Sequence, residues 1–284
     1  MILVDLSQLL VASTFVSMKK GETEVDIGKL RHLILNSLSK YRKQYANEFD
    51  ELVICCDGSL SWRKDVFPYY KIGRKTGREE SPLDWDQIFG CFEQLKKELK
   101  ETFPYKLLQI DRAEADDIIG TLVMARRVEN RKTMIISSDK DFIHLQKYHD
   151  VFQYSPIAKK LLNGVDPEEY LREHILRGDK SDGIPNVLSD DDCIVSGIRQ
   201  VPMTQKLIES WKHIPMPEEH RKRLQRNTML VDLRYTPYDL QQAILEQFDA
   251  KELGSRDKIP AYFAEHGLET VSYTHLTLPT ILLV

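Results

Sequence analysis

Apolar residues recur along this chain in two different rhythms. Short runs that are almost wholly apolar, Ile2-Leu3-Val4, Leu52-Val53-Ile54-Cys55-Cys56 and Met134-Ile135-Ile136-Ser137-Ser138, alternate with longer stretches whose apolar positions fall three and four apart. The first rhythm reads as strands buried on both faces of a parallel sheet, the second as helices packed against it. The pattern predicts helices over 7–18 and 26–46, the latter with Ile27, Leu30, Ile34, Leu38, Tyr41 and Tyr45 on one face. A helix over 85–101, a strand Tyr105–Ile110 and a helix from about Ala113 follow, then strand 133–138, a short helix from Lys140 and strand 151–154. From Asp166 the pattern is helical alone. Asp166-Pro167-Glu168-Glu169 is a helix start, with Asp as cap and Pro in the first turn. Helices are predicted at roughly 166–177, 203–212, 217–227, 237–249 and 256–266. The expected architecture is an α/β domain over 1–165 with a mostly parallel central sheet flanked by helices, and a smaller all-α region over 166–270. Residues 271–284 carry no charge and no helical amphipathicity, and Val271–Thr280 resembles translated adaptor read-through. The expectation is a non-native tail in place of the original C-terminus.

An acidic residue stands where each of three strands ends: Asp5, Asp57 and Asp139. Ligands of parallel sheets bind in the crevice beyond the carboxyl ends of the strands. Three carboxylates delivered there repel one another unless a counter-charge joins them, and a divalent cation supplies one. One such Asp would be explained as a helix cap alone. Further acids lie nearby, in Glu114-Ala115-Asp116-Asp117, Asp139-Lys140-Asp141 and Gly178-Asp179-Lys180-Ser181-Asp182. Together they make a hard-oxygen environment suited to magnesium or manganese.

Length, 284 residues, allows one large α/β domain with a smaller attachment, and 42% hydrophobic with 30% charged residues fits a globular chain. No apolar run approaches the roughly 20 residues that span a bilayer, and no signal-peptide pattern opens the chain. Cys55, Cys56, Cys91 and Cys193 lack zinc-site spacing, and neighbouring Cys55 and Cys56 should face opposite ways as buried reduced thiols. A cytoplasmic protein is expected. The net charge of −4 speaks against a nucleic-acid partner, but its distribution does not. Arg63, Lys64, Lys71, Arg74, Lys75 and Arg78 face only Asp65 between Trp62 and Arg78, interleaved with Trp62, Phe67, Tyr69 and Tyr70. Basic residues among aromatics suit a phosphate backbone with stackable bases. Gly73, Gly77 and Pro82 predict a mobile excursion there.

The order of these motifs resembles the flap-endonuclease family of structure-specific 5′ nucleases. Asp5, Asp57, Tyr70-Lys71-Ile72-Gly73-Arg74, Glu114-Ala-Asp-Asp, Ser138-Asp-Lys-Asp and Gly178-Asp-Lys-Ser-Asp-Gly-Ile-Pro stand in register with it. Within the family, Trp62-Arg63, Arg78-Glu79-Glu80-Ser81 and Arg31–Ser37 resemble the members from T-even bacteriophages, and the likeness covers about residues 1–270. The resemblance implies a FEN/PIN-like fold and hydrolysis of 5′ flaps and of RNA–DNA hybrids with 5′ single-stranded ends. It implies two Mg2+ ions, with Mn2+ able to substitute, and removal of RNA primers in replication. Asp5, Asp57, Glu114 and Asp116 would shape the first metal site; Asp117, Asp139, Asp141, Asp179 and Asp182 would hold the second, directly or through water. Residues 62–84 would form a helical arch. Lys71 and Arg74 there would stabilise charge on the scissile phosphate, and Arg63 and Lys64 would grip flanking phosphates. Tyr70 would stack on a base or serve as a buried anchor, with Lys75 and Arg78 as further nucleic-acid contacts. A monomer is implied, with single-strand-binding protein and polymerase clamp as partners and no membrane.

One stretch departs from the family. After Ile184-Pro185 the family usually runs Gly-Val, a Gly-Ile-Gly hairpin and a Lys-Thr-Ala helix start, which hold duplex phosphates and often potassium. This chain has Asn186-Val187-Leu188-Ser189-Asp190-Asp191-Asp192, keeps only Ser196-Gly197-Ile198, and has Gly183 for a usual Asn. An altered duplex grip follows, with Arg199 and Lys206 as candidate phosphate contacts. Two other readings remain at this stage: a toxin-type PIN ribonuclease, usually about 150 residues, and a flap-binding scaffold without catalysis.

Overall fold

The computed structural model describes residues 1–127, 131–250 and 253–268; the tail read at 271–284 lies outside them. Strands β1 (Ile2–Asp5), β2 (Leu52–Cys56), β3 (Lys106–Gln109), β4 (Thr133–Ile136), β5 (Val151–Ser155) and β6 (Lys160–Leu162) form one sheet in the order β3-β2-β1-β4-β5-β6. All neighbours are parallel except the β5–β6 pair. Strand β6 is absent from the sequence reading: it has three residues, and Lys160 and Leu161 are exposed, so no buried run marks it.

Successive side chains of the central strands point to opposite faces, as the pleat requires. Ile2, Val4, Ile54, Cys56, Met134 and Ile136 join one core with helices α1 (Leu6–Ser17), α2 (Ile27–Tyr45) and α5 (Trp85–Thr102). Leu3, Val53, Cys55 and Ile135 join the other, against helix α6 (Ala115–Arg126). Cys55 and Cys56 thus divide between the two faces, and all four cysteines are free and buried.

The segment between β2 and α5, expected as a mobile excursion from its glycines and as a helical arch from the family resemblance, contains two short helices, α3 (Arg63–Val66) and α4 (Gly73–Glu79). Helix α4 buries no residue and spans both glycines, each a cost of about 1 kcal/mol in a helix. Its sequence gives little sign of it beyond the Lys75–Glu79 pair at one helical turn, 3.8 Å apart.

Beyond β6 come helices α7 (Pro167–Arg177), α8 (Gln205–Ser210), α9 (Glu218–Val231), α10 (Tyr238–Asp249) and α11 (Ile259–Glu265). Leu176, Val187 and Ile208 form a small core of their own with Met203, Trp211, Met216 and Leu224. The last two helices return to the sheet. Leu240, Ile244 and Phe248 of α10 pack into the α6 side, and Ile259, Tyr262 and Phe263 of α11 into the α1–α2–α5 side. Among the described residues no helix is long and apolar enough to cross a membrane.

Candidate active site

Strand order reverses between β1 and β4, and there the crevice opens. Asp5 ends β1; its Oδ1 accepts from the Gln8 amide at 3.0 Å and its Oδ2 from the Ser137 hydroxyl at 3.0 Å. Asp57, one residue past β2, accepts on Oδ1 from the Ala115 amide that opens α6, at 2.8 Å. Asp139 caps the 3-10 turn Lys140–Lys147, its Oδ1 accepting from the Asp141 amide at 3.0 Å. Asp5 and Asp139 do cap the elements that follow them, Asp57 holds the first amide of α6, and these bonds also fix the three carboxylates at the crevice. Asp5, Asp57, Asp116 and Asp139 line an open cleft of about 750 Å³ with Lys71, Arg74 and Arg78. A narrow pocket behind it is lined by Asp116, Asp141, Asp179, Asp182 and His174. Asp116 belongs to both.

The electrostatics match that crowding. Burial pushes the Asp5 carboxyl up to about 7, helped by Asp57 and Asp139 against the Gln8 amide. Burial, then Asp139, pushes Asp116 well above its usual range. Burial and Asp139 likewise push Asp141 up to about 7. Three acids that resist ionisation in one crevice are short of positive charge, and a bound divalent cation would supply it. The donor set, carboxylate oxygens from several elements, fits Mg2+ or Mn2+.

Lys71 meets these acids from above. Its Nζ donates to Glu114 Oε1 at 2.6 Å and stands 3.6 Å from Asp182 Oδ2; Arg74 Nη2 donates to Asp182 Oδ1 at 2.6 Å. Burial raises the Glu114 pKa, but Lys71 and Arg63 outweigh it and hold the carboxyl below its usual value. Lys71 has φ 55°, a left-handed conformation that a side-chain-bearing residue adopts only when held. The hold is its own amide, which donates to the Asp182 carbonyl at 2.8 Å. Gly183 follows with φ 75°, and a Cβ there would stand 2.8 Å from the Tyr69 carbonyl oxygen. Its left-handed backbone explains why Gly can stand where the family usually has Asn, since both residues adopt that conformation readily. One loop of the helical region is thus bonded directly to the base of the basic segment.

Three expected site residues are engaged in buried contacts. Asp117 was expected among the metal ligands, but it is fully buried and lines neither the cleft nor the narrow pocket. Its oxygens accept from Trp62 Nε1 at 3.2 Å, Thr236 Oγ1 at 2.9 Å, the Glu114 amide at 2.9 Å, and Arg63 at 3.0 and 2.9 Å. Arg63 was expected on a flanking phosphate. It is only 2% exposed, and also donates to Glu114 Oε2 at 3.1 Å and the Leu230 carbonyl at 2.8 Å. Tyr70 is the buried anchor and not a base-stacking platform: it is 2% exposed, and its hydroxyl donates to Glu114 Oε2 at 2.7 Å, with Asp182 Oδ2 at 3.2 Å. The basic segment is therefore split. Arg63, Phe67 and Tyr70 are folded inward as a foundation, while Lys64, Arg74, Lys75 and Arg78 remain exposed.

In the departing stretch, Asn186 organises the chain. It donates to the Val201 carbonyl at 2.8 Å, accepts from Ser189 Oγ at 2.9 Å, and its amide donates to Gln200 Oε1 at 2.8 Å. The acidic run is tied back to α9, Asp190 to Arg223 and Asp191 to Arg226. Arg199 and Lys206 are exposed.

His174, on the last turn of α7, was missed. Its Nε2 is 3.3 Å from Asp179 Oδ2 and its Nδ1 3.6 Å from Asp141 Oδ1. The sequence signal was slight: a histidine five residues before a strongly acidic turn, with the turn geometry unknown.

A sheet whose crevice gathers acidic side chains under a basic gateway has the donor groups of a nuclease site, and comparison with known proteins gives the class. Residues 1–174 match the family described as 5′-3′ exonuclease, N-terminal resolvase-like domain, and residues 166–274 match T4 RNase H, C terminal. The chain belongs to the 5′-3′ exonuclease family and is a structure-specific 5′-3′ nuclease. It is similar to Ribonuclease H of Enterobacteria phage T4, 33% identical over 95% of this chain and 93% of that protein. Flap endonuclease Xni of Shewanella sp. (strain MR-4) is 31% identical over 48% of this chain and 52% of its own length. Among solved structures, the T5 D15 protein co-crystallised with metal ions has a TM-score of 0.59 at 17% identity, covering 98% of both chains. A T5 D15 flap endonuclease pseudo-enzyme–product complex with DNA and metal ions has a TM-score of 0.61 at 16% identity, covering 96% of this chain and 98% of that one. At such identity the likeness shows the fold. The family and the mostly parallel FEN-like architecture expected from the sequence are both borne out.

Proposed function

We propose that this nuclease depends on two Mg2+ ions, with Mn2+ as a substitute, and acts on RNA–DNA hybrids and DNA with 5′ single-stranded ends to remove RNA primers. The observation that carries the reading is the crowding of Asp5, Asp57, Asp116 and Asp139 on one cleft and of Asp116, Asp141, Asp179 and Asp182 on the adjoining pocket, where burial and Asp139 push the carboxyls of Asp5, Asp116 and Asp141 upward. Asp5, Asp57, Glu114 and Asp116, with Asp139 beside them, would hold one ion. Asp141, Asp179 and Asp182 would hold the other with Asp139. Such a pair, when bound, would lower the pKa of water and offset charge on the phosphate under attack. The chain's own residues do the rest. Lys71 exchanges Glu114 for the scissile phosphate and stabilises its developing charge. Arg74, released from Asp182, does the same from a more exposed position. Lys64, Lys75 and Arg78 line the approach for the single strand and set its salt dependence. A flap-binding scaffold without catalysis would have no use for so many desolvated carboxylates, each costly to bury. The chain acts as a monomer in the cytoplasm of an infected bacterium.

Product-length analysis on 5′-labelled flaps and RNA–DNA hybrids, with magnesium and with chelator, tests the proposal. Short 5′ products that vanish with chelator are expected. Binding without any cleavage would leave the scaffold reading.

A further inference from the structure

Among the acids of the narrow pocket sits one nitrogen donor. The His174 side chain is 13% exposed and lies between Asp141, in the 3-10 turn after β4, and Asp179, in the loop after α7. One donor atom from each of the three lies within 4.8 Å of the others, a separation that a single cation can bridge. The ring is held in the gap by Tyr170 one turn earlier, edge-on with centroids 5.8 Å apart. Helix termination does not require the imidazole, because Gly178, with φ 67°, already ends α7 with its amide on the His174 carbonyl at 2.9 Å.

We infer that His174 is a nitrogen ligand of the second cation site, forming with Asp141 and Asp179 a mixed nitrogen–oxygen donor set. The inference rests on the reading of those two aspartates as cation ligands. Its consequence is metal selectivity. Mg2+ prefers oxygen donors and gains little from an imidazole, whereas first-row transition ions gain more along the Irving–Williams order. The second site therefore favours Mn2+ over Mg2+ more strongly than does the site built on Asp5, Asp57 and Asp116, which has oxygen donors only. The competing role is a protonated ring that clips Asp141 to Asp179 as a positive charge. That role involves no metal–nitrogen bond, and a lysine could take it over.

The full chain, His174→Gln and His174→Lys are titrated with Mn2+ in the absence of substrate. Continuous-wave electron paramagnetic resonance counts free ion, pulsed resonance reads nitrogen coupling to bound Mn2+, and melting in chelator checks that each variant folds. Nitrogen coupling is expected in the unaltered chain and absent from both variants. One of two Mn2+ sites should weaken by about tenfold or more in each. Mg2+ affinity, read by competition, should change by less than about threefold. Two bound Mn2+ ions without nitrogen coupling, or wild-type Mn2+ affinity in His174→Lys, would overturn the inference and leave the proposed function standing. No bound Mn2+ at all would overturn both.

Discussion

Replacing Arg63 by alanine separates a foundation residue from a phosphate contact. The guanidinium makes one bond to Leu230, one to Glu114 and two to Asp117, all of them away from water. Removing one partner of a buried ion pair costs about 3–5 kcal/mol, because the other charge stays behind. Asp117 would keep Trp62 Nε1, Thr236 Oγ1 and the Glu114 amide, which places the cost at the low end. The Leu230 carbonyl would lose its donor, worth about 1 kcal/mol or more when buried. The sum is about 4 kcal/mol, and at about 2–4 °C per kcal/mol the melting temperature should fall by roughly 8–16 °C. Urea and thermal denaturation of Arg63→Ala and Arg63→Lys, followed by far-ultraviolet circular dichroism, measure it. The lysine variant should fall between, since it keeps the charge and loses the planar fork. Unchanged stability in Arg63→Ala, with weaker substrate binding and a salt slope shallower by about one unit, would refute the structural role.

Other perturbations probe the remaining parts. Lys71→Ala should lower turnover on the order of a hundredfold with little change in binding, whereas Lys75→Ala should mainly weaken affinity; equal kinetic losses would make the segment a mere electrostatic funnel. Gly183→Ala should lower both stability and cleavage, because its Cβ meets the Tyr69 carbonyl at 2.8 Å in a left-handed backbone, while Gly183→Asn should be milder; a silent alanine would deny the strained junction under Lys71. Asp5 and Asp141 rise from 3.8 to about 7 on folding, so the metal-free folded chain holds protons that the unfolded chain has released. Their contribution to stability is full below about pH 4 and is lost as pH climbs through 7. Added Mg2+ should therefore raise the melting temperature more at pH 8 than at pH 5.5, and equal gains would contradict the linkage.

The strand-end acids were legible because continuous apolar runs mark buried parallel strands unambiguously, and topology then fixes where their ends meet. Asp117 was not, because sequence places it beside Asp116 while the helix turns neighbouring side chains about a hundred degrees apart. One faces the cleft, the other faces Arg63. Arg63 and Tyr70 share a basic-aromatic stretch with Lys75 and Arg78, and composition cannot tell an inward residue from an outward one. Their burial depends on Leu230 and Asp182, more than a hundred residues away. His174 was hidden for a related reason, since its partner Asp141 lies across a domain-scale turn of the chain and only the fold brings the pair together.

The central claim is that the carboxylate crevice works by holding divalent cations. Single-turnover cleavage of a 5′-labelled flap against Mg2+ concentration, for the unaltered chain and Asp116→Asn, tests it most directly, because Asp116 lines both compartments. No cleavage is expected in chelator, with a rate that rises with more than one bound Mg2+ and a loss in Asp116→Asn of about a thousandfold, the few kcal/mol of transition-state charge stabilisation a metal supplies. Cleavage that persists in chelator, or an Asp116→Asn variant that matches the unaltered chain across the titration, would contradict it.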